Sequence, residues 1–182
     1  MKKYAIFGGS FDPPHLCHEE LVKKCLKELG LDKLFLIPTF LSPFKSAFAA
    51  PPKMRYEWLC KVFEKYEKVS VLDIEIKKQK AVFTIDTIEE LTAIIDKQSC
   101  DKIYLIIGSD NLCNFTKWHR YEELIKLVEV VVVSRGSTTF GEYKTIFLEC
   151  AFSSSEYRNL LDPQMLSCEI REAVMSFYEG KN

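Results

Sequence analysis

Four short runs in the chain are apolar at every position: Tyr4–Phe7, Leu34–Ile37, Ile103–Ile107 and Val130–Val133. Runs of this length, closed by Gly8-Gly9, Pro38 and Gly108 in the first three cases, predict strands buried on both faces. Val69–Ile76 alternates well enough to predict a further strand, and Thr145–Leu148 is a last candidate. Between the runs the apolar spacing changes to that of a helix. In His15–Leu29, the residues Leu21, Val22, Cys25, Leu26 and Leu29 share one face, with Pro13-Pro14 before the start and Gly30 at the stop. Pro51–Tyr66 repeats the pattern with Met54, Leu59, Val62, Phe63 and Tyr66. Asp86–Ile95, Tyr121–Leu127, Glu156–Leu161 and Cys168–Tyr178 read as further helices. Apolar strands alternating with helices predict an α/β fold: a doubly wound parallel sheet with right-handed crossovers. Ligands of such sheets bind beyond the carboxyl ends of the strands. The loops that follow Phe7, Ile37, Ile107 and Val133 are therefore the candidates for chemistry.

With 182 residues the chain fits a single domain, 1–182, that can bury a full core. Its 25 Lys and Arg against 26 Asp and Glu leave a formal net charge of -1. Proteins of long nucleic acids carry a basic excess that neutralises phosphates, so a polymeric nucleic acid is not the expected partner. A small anion needs only a local positive site. Seven cysteines, Cys17, Cys25, Cys60, Cys100, Cys113, Cys150 and Cys168, are odd in number and lack a C-x-x-C spacing. That argues against a zinc knuckle and a disulfide framework, and scattered free thiols suit a reducing cytoplasm. No signal peptide and no membrane segment are evident, so a cytoplasmic location is expected. The oligomeric state is not legible in the chain.

The first loop reads Gly8-Gly9-Ser10-Phe11-Asp12-Pro13-Pro14-His15-Leu16-Cys17-His18. Glycines let backbone amides approach an anion, and a helix start adds free N–H groups and partial positive charge. His15 and His18, three apart, can project from one side of the first turn and donate to phosphate oxygens, more strongly if protonated. The loop resembles the signature G-x-F-D-P-x-H-x-G-H of a nucleotidyltransferase superfamily. Gly9, Phe11, Asp12, Pro13, His15 and His18 match at the same spacing, and Cys17 stands where the family usually has glycine. His15, where phosphopantetheine adenylyltransferases tend to carry threonine, makes the chain more similar to the mononucleotide branch, the bacterial nicotinate-nucleotide adenylyltransferases.

Further segments carry the same resemblance. Phe152-Ser153-Ser154-Ser155-Glu156-Tyr157-Arg158 is similar to the second signature, I-S-S-T-x-[IL]-R, with Ser155 keeping a hydroxyl and Tyr157 replacing an aliphatic residue. By this resemblance the helices from about 156 complete the ATP site, and Arg158 reaches the β and γ phosphates. The segment Gly108-Ser109-Asp110 is implied to meet the nucleotide, and Trp118 to stack on the pyridine ring, which the flat indole suits. Phe83-Thr84-Ile85-Asp86-Thr87-Ile88 resembles Y-T-x-x-T-[IL]; Thr84 either hydrogen-bonds the nicotinate end or caps the following helix. Lys45, at the end of Pro38-Thr39-Phe40-Leu41-Ser42-Pro43-Phe44-Lys45, could clamp a substrate phosphate. Arg135-Gly136-Ser137 stands where the family often has R-P-G.

The resemblance implies a Rossmann-like fold and transfer of AMP from ATP to nicotinate mononucleotide, giving nicotinate adenine dinucleotide and pyrophosphate in NAD biosynthesis. His15, His18 and Arg158 are the expected catalytic residues. Gly8, Gly9, Ser10, Phe11, Gly108, Asp110, Ser154 and Ser155 join them in binding ATP. Ser10, Lys45, Thr84, Trp118, His119 and Arg135 are the expected mononucleotide contacts. Magnesium is expected to enter with ATP, since no carboxylate cage is evident. Two alternatives stay open: another phosphate acceptor, such as nicotinamide mononucleotide or a pantetheine phosphate, and a non-catalytic module that senses ATP or a dinucleotide.

Overall fold

A computed structural model describes residues 1–41, 47–95, 101–150 and 152–180. Six parallel strands form one sheet in the order β3-β2-β1-β4-β5-β6. They are β1 (Lys3–Gly9), β2 (Lys33–Pro38), β3 (Val69–Val71), β4 (Lys102–Gly108), β5 (Glu129–Ser134) and β6 (Lys144–Phe147). The helices are α1 (Leu16–Leu29), α2 (Pro52–Phe63), α3 (Ile74–Lys78), α4 (Thr84–Ile94), α5 (Ser109–Leu112), α6 (Tyr121–Leu127), α7 (Ser154–Leu160) and α8 (Arg171–Glu179). The strand order reverses between β1 and β4, which opens a crevice at their carboxyl ends.

The apolar runs have no polar side because the sheet lies between two cores. Ala5, Leu34, Leu36, Ile106, Val131 and Val133 pack with α1, α2 and residues of α7 and α8. Their neighbours Tyr4, Ile6, Phe35, Ile37, Leu105, Ile107 and Val132 pack with α3, α4 and α6 on the opposite face. Each strand position feeds one core or the other, following the period of two.

Several expectations about elements change; α2 ends at Phe63, short of Tyr66, and α7 starts at Ser154, ahead of Glu156. The strand predicted over Val69–Ile76 stops at Val71, and Ile74 already begins α3 after Asp73. β3 is an edge strand paired with β2 over three residues, so nothing holds the rest extended. The helix expected from Asp86 starts at Thr84, and that expected from Cys168 starts at Arg171, preceded by a 3-10 turn at Pro163–Met165. Among the described residues, no helix is long and apolar enough to cross a membrane.

The cysteines also need correction. Cys17 and Cys150, 133 residues apart, form a disulfide. Spacing in sequence could not show it: the pair is made where α1 runs beside the segment after β6. Cys25, Cys60, Cys113 and Cys168 are free thiols.

Candidate active site

The loop after β1 is built for tight packing. A Cβ on Gly9 would press into the Phe11 ring at 3.1 and 3.2 Å, and Phe11 itself takes a left-handed backbone, φ 48°. Phe11, expected at the nucleotide, is 1% exposed. Its ring meets Phe7 edge-on at 5.4 Å and the His18 ring at 5.0 Å. Its side chain thus packs beneath the histidine.

His15 is the N-cap of α1 and His18 sits in its first turn, with the two rings 3.8 Å apart. The His15 N–H donates to His18 Nδ1 at 3.1 Å. With Nδ1 accepting, the neutral ring carries its proton on Nε2, which becomes a hydrogen-bond donor. Burial pushes the His18 pKa down to about 3, and the nearby Arg135 guanidinium adds to this. His15 is lowered further, by burial first, then by His18 and Arg135. The imidazoles are therefore neutral donors, not the protonated pair considered from sequence. His15 Nδ1 is buried with no hydrogen-bond partner in this structure. Arg135, expected at the mononucleotide, is exposed at the end of β5 and bears electrostatically on both histidines.

The second signature docks on the first. Ser154 Oγ donates to Pro13 O at 2.9 Å, Arg158 Nη1 donates to Asp12 O, and Arg158 Nη2 reaches Ser155 Oγ at 3.1 Å. Phe152 lies against the His15 ring, centroids 5.3 Å apart. Ser153 caps α7, accepting from the Glu156 N–H while Glu156 returns to the Ser153 N–H. His15, His18, Ser154 and Arg158 thus border one crevice, the one at the switch in strand order.

Two residues that organise this crevice carried no role in the sequence reading. The Asp12 carboxylate accepts from the Ala49 and Ala50 N–H groups at 2.8 and 2.9 Å and from the Tyr178 hydroxyl at 2.6 Å. Arg55 is fully buried, and its guanidinium donates to four carbonyls: Ser10, Ala50 (3.1 Å), Thr39 (2.7 Å) and Phe40 (3.4 Å). It ties the loop after β1 to the loop after β2. A signal existed, because Arg55 falls on the same helical stripe as Leu59, Val62 and Tyr66, where an arginine must be satisfied internally.

On the other side of β1, Gly108 ends β4; a Cβ there would collide with the Asp110 carboxylate. Trp118 is half-buried, edge-on to Phe115 at 5.1 Å. His119 is exposed and stacks on Phe83 at 4.2 Å and 26°. Thr84 is the first residue of α4, and Phe83 is its N-cap, so Thr84 does not cap the helix. Arg120, left-handed at φ 54°, braces α4 to α6 through Glu89 and Glu123, at 2.8 and 2.7 Å. The stacking of His119 on Phe83 thus sets the start of α4 beside the turn that leads into α6. Lys45 lies outside the described residues.

Among the described residues, no three His, Cys, Asp or Glu side chains come together to hold a metal. Both Asp12 oxygens are already occupied by donors, and His18 presents a proton.

The family model of the cytidylyltransferase-like proteins matches residues 6–160. The probable nicotinate-nucleotide adenylyltransferase of Aliarcobacter butzleri is 42% identical over 98% of this chain and 98% of its own. That of Nitratiruptor sp. is also 42% identical, over 98% of this chain and 99% of its own. The nicotinic acid mononucleotide adenylyltransferase of Plasmodium falciparum, solved with NaAD, superposes with a TM-score of 0.75 at 19% identity, over 100% of this chain and 97% of that one. With its 3-2-1-4-5-6 sheet and with both signatures meeting at the strand switch, the chain belongs to the nicotinate-nucleotide adenylyltransferases, within the cytidylyltransferase-like family.

Proposed function

We propose that the chain joins the AMP part of ATP to nicotinate mononucleotide, releasing pyrophosphate and forming nicotinate adenine dinucleotide. The observation that carries this reading is the docking of Ser154 and Arg158 on the histidine loop, which gathers phosphate-directed donors from both ends of the chain. The names of relatives matched over nearly their whole length support the substrate.

In this mechanism the 5′-phosphate oxygen of the mononucleotide attacks the α-phosphorus of ATP. The bond from that phosphorus to the bridging oxygen breaks, and pyrophosphate takes the electron pair. The chain contributes position and charge. The glycine loop and α1 hold the triphosphate through backbone amides. His18 Nε2–H donates to the oxygens that gain charge, and His15 holds the same phosphates. Arg158 faces the departing pyrophosphate with the guanidinium N–H groups that Asp12 and Ser155 leave over. Magnesium carried in with ATP would supply charge neutralisation on the phosphates. Gly108 and Asp110 line the nucleotide side; Thr84, Trp118 and His119 line the pyridine side.

The test is to mix purified protein, MgATP and either nicotinate or nicotinamide mononucleotide, and to follow pyrophosphate. Turnover with the acid, well above that with the amide, is expected; release with neither would refute the reading. A second measurement addresses the pyridine side. Trp118→Ala should raise KM for the mononucleotide about 10-fold, in line with ring stacking of ~1–3 kcal/mol, and leave KM for ATP near normal. An unchanged mononucleotide KM would remove Trp118 from the site.

A further inference from the structure

Glu75 on α3 is 7% exposed. Its Oε1 accepts from Thr87 Oγ1 at 3.0 Å, and its Oε2 is buried without a partner. Thr87 lies in the first turn of α4, and its hydroxyl also approaches Phe83 O at 3.5 Å. Phe83 in turn stacks on His119. A buried carboxyl with a bare oxygen is costly to keep unless it holds something in place.

We propose that the Glu75 carboxyl is a positioning residue for mononucleotide binding: through Thr87 it fixes the first turn of α4, and with it the Thr84, Phe83 and His119 side of the pocket. This rests on the adenylyl-transfer reading for the identity of the ligand. From its own helix Lys78 acts on the carboxyl, and Lys78 is paired with Glu90 of α4 at 2.6 Å. From α4 the facing group is Thr87, and the strand beneath, β2, is apolar from Leu34 to Pro38. Burial therefore dominates and pushes the Glu75 pKa up to about 7, against the smaller opposing effects of Thr87 and Lys78.

The sign follows from linkage. The folded pKa exceeds the ordinary 4.5, so the stabilising contribution is complete below pH 4.5 and is lost as the pH rises through 7. Glu75→Gln keeps the acceptor for Thr87 and cannot ionise. It should melt above the wild type at pH 8 and no higher than it at pH 5. Equilibrium titration with nicotinate mononucleotide should show wild-type Kd rising severalfold more between pH 6 and 8.5 than that of the Gln variant, with Kd for ATP moving equally in both. Glu75→Ala should speed hydrogen exchange in the first turn of α4 selectively. Parallel Kd profiles in wild type and Gln variant, or unchanged exchange in the Ala variant, would overturn the proposal. Failure of the wild type to turn over the mononucleotide would instead strike the functional reading, and the exchange result would stand apart from it.

A separate observation supports a second inference. Cys17 lies between His15 and His18, and Cys150 lies two residues before Phe152, which rests on the His15 ring. The Glu20 carboxylate already gathers the Glu149 and Cys150 N–H groups onto α1, both at 2.9 Å, so the two thiols are brought together without the bond. We infer that this pair is a reversible redox fastening of the ATP site. With a small-molecule disulfide as oxidant, the half-buried Cys150 thiolate attacks one sulfur and expels a thiol. Cys17 thiolate then attacks Cys150 Sγ and expels the second thiol. Two protein thiols lose two electrons and two protons, and one disulfide becomes two thiols. Oxidation with glutathione disulfide should give a product 2 Da lighter than the reduced protein, with Cys17 and Cys150 in one cross-linked peptide. Its KM for ATP should be severalfold below that of the reduced form, and Cys150→Ser and Cys17→Gly should behave as the reduced protein in both conditions. Lack of the cross-link, or one KM for both forms, would overturn this inference.

Discussion

Replacing His18 by alanine is expected to lower kcat by about 10²- to 10³-fold, a loss of ~2.7–4 kcal/mol of transition-state stabilisation, with a much smaller change in ATP affinity. The structure gives the reason in detail. His18 Nδ1 is occupied by the His15 N–H, so the proton stands on Nε2 and the ring is fixed between Phe11, Phe7 and His15. A donor with so little freedom has little reorganisation left to do as charge develops. Alanine also leaves the His15 N–H without its acceptor, a stability cost of about 1 kcal/mol in the manner of a lost helix cap. His18→Asn separates the two effects, since its amide oxygen can still accept from His15 while no donor reaches the Nε2 position. The asparagine variant should regain stability and remain nearly as slow as the alanine variant. Single-turnover kinetics with urea unfolding measures both; near-normal turnover in either variant would take His18 out of the chemistry.

Arg55→Met should have the second large effect, a destabilisation of about 3–5 kcal/mol together with loss of turnover. Methionine matches the length of the alkyl stem but leaves four carbonyls of two loops without the donor they share. Each orphaned group costs ~1–3 kcal/mol before relaxation, and release of the buried charge returns part of the total. Burial holds the Arg55 pKa below the ordinary guanidinium value, while Asp12 and Tyr178 oppose the shift. Removing the charge therefore also leaves Asp12 with less compensation. Arg55→Lys should recover only part of the loss, because an ammonium cannot span four carbonyls with one planar fork. Urea midpoints and turnover at a temperature where the variants stay folded test this. A methionine variant within 1 kcal/mol of wild type would show that the loops hold together without the arginine.

Periodicity alone was enough for the layered α/β architecture. Runs such as Leu34–Ile37 and Val130–Val133 read as strands covered on both sides, and stripes such as Leu21, Val22, Cys25 and Leu29 as helices laid against them. The spacing of Gly9, His15 and His18, and of Ser154 and Arg158, was equally local and therefore legible. The tertiary structure decided what depends on meetings between distant segments. It put Arg158 on Asp12, joined Cys17 to Cys150, and packed the Phe11 ring against His18. It also made the histidines neutral, since burial by the surrounding fold outweighs anything readable from the loop. Arg55 and Glu75 show the same division. Their charge is written in the chain, but what satisfies that charge is a set of carbonyls in one case and a threonine hydroxyl in the other, gathered only by folding. Local sequence sets backbone preference and hydrophobic period, whereas hydrogen-bond partners and local dielectric are properties of the assembled molecule.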